Sequence, residues 1–172
     1  MAYEVIDDIV GVGYQNLIEN GCNTFDWKYV SSLTYKDSDT EHTGFCNLIF
    51  DIDDGTRKKE MDILLPLLFE AVYKYHGTDL KEIYRIRAVM WVRNQNETPH
   101  VPHRDLEYEH YTMVYYVNNS DGPTKIYEDG CIIDEIEPKK GRAVIFSGDT
   151  YHASSTPTES SNRIVLNFNY GI

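Results

Sequence analysis

Two imidazoles, a carboxylate and a guanidinium follow one another in the second half of this chain in an order that indicates a metal site. His103 and Asp105 are two residues apart, so their side chains point to the same side of an extended segment. His152 follows 47 residues after Asp105, which is enough chain to leave a sheet and return. Two histidines and one carboxylate form a facial triad, which binds non-haem Fe(II) and leaves coordination positions open. The sequence therefore predicts an iron site at these three residues.

Arg163 predicts that an anion binds near this metal. It opens a strand-like run 11 residues after His152, and its face of that run is shared by Val165, Asn167 and Asn169. The opposite face is apolar, so the polar face must look into the protein. An arginine buried without an anion is costly. We therefore expect Arg163 to hold the far carboxylate of an acid chelated to the metal.

The pattern of strands predicts the fold class. We expect residues 1–172 to form one domain, in which about 1–80 give helical support and about 81–172 form the catalytic barrel. Short strands in regular succession indicate a mainly β fold with N-terminal helices, whose core is a double-stranded β-helix of the jelly-roll or cupin type. The predicted strands cover residues 4–10, 44–51, 82–93, 111–117, 124–127, 131–136, 142–147 and 163–170.

Residues 60–76 carry the clearest helical pattern. Their apolar residues at helical spacing are Leu64, Leu65, Leu68, Phe69, Val72 and Tyr75. Gly77 is the expected residue just past the end, and Pro66 is expected in the first turn, where a missing amide does no harm. A shorter helix is predicted over residues 15–20, ending at Gly21. The long helix is expected to cover the apolar face of the last strand.

Charge and cysteine content exclude some classes of function. The net charge of −12 and the pI near 4.8 argue against broad binding to nucleic acid, which needs clustered lysine and arginine. No apolar run approaches the roughly 18 residues of a membrane span. The N-terminus lacks the basic start of a signal peptide, and the three cysteines are widely spaced. These features predict a reducing, cytoplasmic compartment.

The order His103-x-Asp105, His152, Arg163 resembles the Fe(II)/2-oxoglutarate-dependent oxygenases, and within them the prolyl 4-hydroxylase group. The resemblance covers about residues 83–172 and includes the aromatic run at 114–118. It implies that 2-oxoglutarate takes two metal positions and O2 the third, giving succinate, CO2 and a hydroxylated substrate. It also implies that Tyr115 hydrogen-bonds the distal carboxylate of 2-oxoglutarate, beside Arg163.

The substrate is expected to be a prolyl residue in a peptide or a small amino-acid-like molecule. Candidate residues of the substrate pocket are Trp91, Arg93, Met113, Tyr127, Asn167 and Asn169. The face that carries Trp91 and Arg93 could equally lie outside the barrel, in solvent. The oligomeric state stays open.

Several alternatives stay open at this stage. His103 and Asp105 could be a surface pair in a turn, and His100 is a rival to His103, although no carboxylate stands two residues after it. The same triad would serve a nucleic-acid demethylating oxygenase of the repair type, and a non-catalytic cupin could bind a metal or a small acid. A local groove for nucleic acid could come from Arg85, Arg87, Arg93 and Arg104. The remaining histidines are expected at the surface: His42, His76 and His110.

Overall fold

The computed structural model describes residues 3–31, 33, 43–95 and 100–172, so the expectation for His42 lies outside the described residues. Two α-helices lie within these ranges, α1 (Val12–Cys22) and α2 (Met61–His76). The strands are β1 (Tyr3–Ile6), β2 (Lys28–Val30), β3 (Gly44–Asp51), β4 (Thr56–Arg57), β5 (Glu82–Val92), β6 (Tyr111–Tyr116), β7 (Thr124–Glu128), β8 (Cys131–Ile136), β9 (Ala143–Ser147), β10 (Tyr151–Ser154) and β11 (Asn162–Gly171). The chain is mainly β, as the alternation of its side chains predicts.

Two antiparallel sheets form the jelly-roll core. The larger sheet has the order β1-β9-β6-β11-β5-β3-β2, with β4 paired to β3, and the smaller sheet has the order β10-β7-β8. β11 lies between β5 and β6, and its register places Arg163 opposite Trp91 and Asn167 opposite Arg87. Because β11 is paired along both edges, the direction of each of its side chains is fixed.

Each face of the larger sheet buries its own set of apolar side chains. On one face, Leu166 and Phe168 of β11 pack in a single cluster with Leu64 and Leu68 of α2. On the other face, Val165 packs in a second cluster with residues from β5 and from β7 of the smaller sheet. The polar positions of β11 therefore lie between the two sheets, as predicted, and the long helix covers the apolar positions.

The first 80 residues supply strands as well as the expected helical support. β1 pairs with β9 and β3 pairs with β5, so this part of the chain also extends the larger sheet. β1 ends at Ile6, before the predicted end at residue 10, because Asp8 turns the chain with a positive φ of 50°. α1 is longer than the predicted 15–20 and runs through Gly21 to Cys22.

The long helix begins and ends close to its predicted limits. Gly77 follows it in the left-handed conformation, with φ 65°, and donates its amide to the Tyr73 carbonyl. Pro66 lies in the second turn and not in the first, so the helix accepts the loss of one backbone hydrogen bond. Neither helix in the described ranges is long and apolar enough to cross a membrane.

The buried face of α2 is displaced sideways from the predicted apolar stripe, although the two share Leu64 and Leu68. Leu64, Leu67, Leu68 and Ala71 are fully buried, whereas Phe69 is 52% exposed. These buried residues recur three and four positions apart, and the stripe through Phe69 lies beside them on the helix surface. The sequence alone could not choose between two neighbouring apolar stripes.

Substitutions on the two stripes should separate them by their effect on stability. Leu68→Ala should lower the free energy of unfolding by about 2–5 kcal/mol, because it removes a buried side chain and leaves a cavity. Phe69→Ala, at an exposed position, should change it by about 0.5 kcal/mol or less. Urea unfolding followed by circular dichroism would measure both. An equal loss in the two variants would contradict this packing of α2.

Candidate metal centre

A strand that the sequence does not predict brings two imidazoles together. β10 was not among the predicted strands, and it pairs with β7. Its His152 also forms a β-bridge with His103, with N–O distances of 3.0 and 3.1 Å. The two rings lie on the same side, with 4.7 Å between their centroids. Four residues rich in small and polar side chains carry little strand signal, so β10 was not predictable from its own sequence.

Asp105 completes the cluster that the spacing predicted. Its Oδ2 lies 3.7 Å from Nε2 of His152, and its Oδ1 lies 4.0 Å from Nε2 of His103. The three potential ligand atoms all lie within 4.8 Å of one another, and no other such group of histidine, cysteine and acidic residues occurs in the described part of the chain. The Asp105 side chain is only 1% exposed. His103 reaches this position through an isolated bridge and not through a continuous strand.

The hydrogen bonds of the two imidazoles leave their inner nitrogens available. Nδ1 of His103 lies 3.0 Å from the Val101 carbonyl, and Nδ1 of His152 lies 3.2 Å from the Thr150 carbonyl. A carbonyl only accepts, so each Nδ1 carries the proton and each Nε2 presents a lone pair towards Asp105. Burial also lowers the pKa of His152 to about 4, which keeps this ring neutral at neutral pH. Metal-binding histidines have this tautomer and this backbone support.

Polar side chains of the larger sheet hold one oxygen of the Asp105 carboxylate. Its Oδ2 accepts from the amides of Asn167 and Asn169, both at 3.0 Å, and from the hydroxyl of Thr112 at 3.2 Å. Asn167 and Asn169 were predicted to line a substrate pocket. The structure places Asn167 on the cavity and buries Asn169 fully behind it. Both fix the orientation of the carboxylate.

Two arginines of β5 hold the other oxygen. Nη2 of Arg85 and Nη2 of Arg87 each lie 3.3 Å from Asp105 Oδ1. Burial alone would raise the pKa of Asp105, but the charges around it, including the permanent ones of Arg87 and Arg85, hold that pKa far below its usual range. The carboxylate is therefore ionised and ready to bind a cation.

Arg163 lies deep between the sheets without an acidic partner among the described residues. It is 1% exposed, and its Nη2 donates to Thr124 Oγ1 at 2.7 Å. Its guanidinium carbon lies 4.8 Å from the Trp91 ring centre and 5.6 Å from that of Tyr116. Nε and Nη1 are buried without a hydrogen-bond partner. Burial lowers the pKa of Arg163 only to about 10, so it remains a cation with two free donors.

The structure corrects the prediction for Tyr115. Side chains alternate along β6, and Tyr115 faces the helices, where it is fully buried in the same cluster as Ile18 and Cys22 of α1. Tyr116 is the tyrosine on the inner face, and its hydroxyl donates to Thr124 Oγ1 at 2.7 Å. Tyr115 therefore cannot share a ligand with Arg163, and Tyr116 takes the position next to it.

The candidate pocket residues fall in different places. Trp91 lines the cavity at the His103–Asp105–His152 cluster, together with Asn167, Arg87 and Leu33. Met113 does not, because it shares the helix-facing side of β6 with Tyr115 and is fully buried there. Arg93 lies just past the end of β5, where it is exposed and donates to the Glu159 carbonyl at 3.2 Å.

Tyr127 lines a second cavity, which is separate from the one at the cluster. This cavity has a volume of about 420 Å³ and is bounded by Pro102, Tyr127, Asp129, Gly130, Asp149 and Tyr151. Tyr127 and Tyr151 pair across β7 and β10, whereas Ile126, which packs between the sheets, pairs with His152. Because side chains alternate along a strand, Tyr127 lies on the outer face of the smaller sheet, away from the two imidazoles.

Several residues that shape the site were not singled out from the sequence. Thr112 and Thr124 belong to no sequence motif. The only available signal was the alternation of side chains along β6 and β7, which gives each threonine a face of its strand. His100 is buried against Trp91 and pairs with Thr156, 3.0 Å away, so it is not a fourth member of the cluster. His110 is also buried, against the prediction, with its Nδ1 at the Tyr108 carbonyl.

The sequence model of the 2OG-Fe(II) oxygenase superfamily matches residues 86–171, which is half of the chain. This chain belongs to that superfamily. It is therefore a dioxygenase that depends on Fe(II), 2-oxoglutarate and O2. A search of curated protein sequences finds no significant match.

Solved structures of other oxygenases share the fold at low sequence identity. An oxidoreductase of the 2OG-Fe(II) oxygenase family from Burkholderia pseudomallei has 14% identity and a TM-score of 0.78, over 98% of this chain and 84% of that one. A prolyl-4-hydroxylase from Pseudomonas putida has 13% identity and a TM-score of 0.68, over 99% and 92%. The viral collagen prolyl hydroxylase of Paramecium Bursaria Chlorella virus-1, in its 2OG complex, has 14% identity and a TM-score of 0.61, over 100% and 97%.

The residues of this oxygenase fit the two groups that its superfamily requires. His103, Asp105 and His152 offer two imidazole lone pairs and one ionised carboxylate, the donor set preferred by non-haem iron. The two free donors of Arg163 match the fork of a carboxylate, which 2-oxoglutarate has at the end away from the metal. The cluster and the arginine lie on the same inner surface of β11 and its neighbours.

Removing the carboxylate should abolish metal binding by this oxygenase. Asp105→Ala leaves the two imidazoles but deletes the only anionic donor, so iron affinity and metal-dependent turnover should both be lost. Calorimetric titration with Mn(II), an inert substitute, would measure the affinity, and circular dichroism would check the fold. Asp79→Ala, at an exposed position after α2, is the control and should bind the metal normally. Unchanged metal affinity in Asp105→Ala would refute the ligand assignment.

Proposed function

We propose that this oxygenase hydroxylates an unactivated C–H bond of a prolyl residue in a peptide or of a small amino-acid-like molecule. His103, Asp105 and His152 would hold Fe(II), and Arg163 would hold the C5 carboxylate of 2-oxoglutarate. One observation carries the proposal: Arg163 is a buried cation, with two free donors and no acidic partner in the described residues, on the inner face that also carries the cluster.

The protein side of the reaction follows from the surroundings of these residues. When bound, Fe(II), 2-oxoglutarate and O2 supply the oxidative decarboxylation that yields succinate, CO2 and a hydroxylated product. The fixed tautomers of the two histidines direct Nε2 inwards, and the donors around Asp105 hold its carboxylate in one orientation. Phe146 packs on the His152 ring, with 4.8 Å between centroids, and excludes water from that side.

Two observations support a substrate of this kind. The structural likeness includes proteins named prolyl hydroxylases, from a bacterium and from a virus, over nearly the whole chain. The cavity at the cluster combines apolar side chains, Trp91 and Val89 among them, with the polar groups of Arg87 and Asn167, a lining that suits an amino-acid-like guest.

The arrangement of the arginines disfavours the nucleic-acid alternative. Arg85 and Arg87 point inwards to Asp105 and do not form an outer stripe. Arg104 lies within 3.6 and 3.7 Å of the carboxylates of two exposed acids, Glu107 and Asp149. A phosphate backbone would need several free cations in a row, on a protein whose net charge is −12.

The arginine anchor can be tested by the affinity for 2-oxoglutarate. Arg163→Ala should raise the dissociation constant of 2-oxoglutarate at least about tenfold, because leaving a buried anion unpaired costs roughly 2–5 kcal/mol and about 1.4 kcal/mol is one decade. Arg163→Lys should recover only part of the loss, since an ammonium cannot make both hydrogen bonds of the guanidinium. Calorimetry with Mn(II)-loaded protein would measure the constants. Equal affinity in wild type and Arg163→Ala would place the anchor elsewhere.

The two neighbouring tyrosines provide an internal comparison for that experiment. Tyr116→Phe should weaken 2-oxoglutarate binding by about 1 kcal/mol. It removes the hydrogen bond from the Tyr116 hydroxyl to Thr124 Oγ1, the atom that also accepts from Arg163 and helps to position it. Tyr115→Phe should leave the constant unchanged, because its hydroxyl is on the other face of the sheet. The opposite order of effects would contradict the assigned faces of β6.

Succinate formation above the uncoupled background tests the substrate class. We expect proline-containing peptides or free amino acids to stimulate it, and methylated oligonucleotides to have no effect. Stimulation by oligonucleotides alone, lost at raised salt as phosphate contacts require, would favour the repair-type alternative. A protein that binds 2-oxoglutarate but forms no succinate under any condition would be a non-catalytic cupin.

A further inference from the structure

We propose that Arg87, assisted by the charge of Arg85, forms a second anion site that binds a carboxylate of the substrate. The inference rests on the proposed function and narrows it. A carboxylate-bearing substrate, such as an amino acid with a free acid group, would be preferred to a prolyl residue inside a peptide. Neither arginine belongs to the metal cluster or to the Arg163 site described above.

The two arginines stand side by side on the inner face of β5. They are two positions apart on this strand, and across it they face Asn167 and Asn169 of β11. Each places Nη2 at 3.3 Å from the same oxygen of Asp105. Their side chains keep 17% and 24% of their surface exposed, so the site is open to a ligand from the cavity side.

The charges around the cluster do not balance without a further anion. With iron and 2-oxoglutarate bound, the positive charges are two from the metal and one each from Arg85, Arg87 and Arg163. The negative charges are one from Asp105 and two from 2-oxoglutarate. Asp51 lies opposite Arg85 in the sheet, although its carboxylate accepts from the Asp53 amide at 2.9 Å. Counting Asp51 still leaves one positive charge, which a single substrate carboxylate would neutralise.

The two arginines differ in how firmly they are held. Arg85 also donates to the Asp105 carbonyl at 3.0 Å and to Asn169 Oδ1 at 3.2 Å, so its position is fixed by the protein. Arg87 has only the contact with the Asp105 carboxylate in the described residues, and its Nε is buried without a hydrogen-bond partner. Arg87 also lines the cavity. It is therefore the residue that would contact the ligand, while Arg85 contributes its charge.

This site is separate from the one for 2-oxoglutarate. Arg163 pairs with Trp91 across the sheet, and Asn167, four residues further along β11, pairs with Arg87. Four residues of a strand span about 13 Å along the backbone, which the two arginine side chains can shorten. With its C5 carboxylate at Arg163, 2-oxoglutarate could bring towards Arg87 only the end that would chelate the metal. A separate substrate carboxylate is therefore the anion proposed for Arg87.

Holding Asp105 in place does not by itself require both arginines. Asn167, Asn169 and Thr112 already donate to Oδ2 of that carboxylate, and Arg85 is fixed beside Oδ1. A second guanidinium at the same oxygen adds repulsion between like charges, which contributes with burial to lowering the pKa of Arg85 to about 10. A divalent metal bound to Asp105 would increase that repulsion and direct Arg87 towards an incoming anion.

Matched acids and amides would test the site directly. The probes are the N-acetyl derivatives of the protein amino acids and the corresponding primary amides, titrated by calorimetry under nitrogen into protein loaded with Fe(II) and 2-oxoglutarate. We expect at least one acid to bind about tenfold or more tightly than its amide, since a buried ion pair is worth a decade or more. If no acid binds more tightly than its amide, the inference is wrong.

Variants then assign the preference to Arg87. Arg87→Gln should abolish the difference between acid and amide, and Arg87→Lys should keep part of it. Because Arg87 also contacts the Asp105 carboxylate, the affinities of each variant for Mn(II) and 2-oxoglutarate are measured first, and acid and amide are compared with both sites saturated. Arg57→Gln, at an exposed position on β4, is the control and should keep the full preference. An acid preference that survives unchanged in Arg87→Gln would overturn the site. Failure of wild type to bind 2-oxoglutarate would instead refute the proposed function.

Discussion

The buried carboxylate of Asp105 is the interaction on which the site depends. An ionised carboxylate with 1% exposure is stable only if the surrounding protein replaces its water. The inner faces of β5, β6 and β11 do this with guanidinium, hydroxyl and amide donors, all directed to one point. The same point lies between the Nε2 atoms of His103 and His152. The polar residues at the centre of the sheet are thus explained by the one buried carboxylate of Asp105. Its negative charge in turn favours a cation between it and the two imidazoles.

The two faces of the larger sheet have different roles: one stabilises the fold, and the other carries the candidate metal centre. Its outer face packs on α1 and α2 through a continuous apolar cluster, which anchors the strands. The inner face can then carry an unpaired arginine and an arginine pair, whose desolvation the apolar packing must offset. Because neighbouring residues of a strand point in opposite directions, a shift of one position exchanges the two roles. The contrast between Tyr115, in the core, and Tyr116, beside Arg163, is such an exchange.

The sequence was sufficient where a pattern had one solution. The polar residues of β11 alternate with apolar ones, so their faces and the buried Arg163 could be predicted before the structure. The run from Val114 to Val117 is apolar on both faces, so nothing in it distinguishes the side of Tyr115 from the side of Tyr116. α2 has two adjacent apolar stripes, and only contact with the sheet selects between them. The direction of Arg87 was unpredictable for a related reason, since its partner Asp105 lies in an irregular segment.

The charge of the protein and the charge of its cavity have opposite signs, which affects the kind of substrate that can enter. The net charge is −12, while the described inner surface carries three arginines around one cluster acid. At physiological salt the surface field decays within about 8 Å, so it repels a long polyanion that must lie along the surface far more than a small acid. A small acid that reaches the mouth meets the cavity charges at short range, where screening is weak. The two fields together therefore favour small anions over extended ones, although neither field alone would do so.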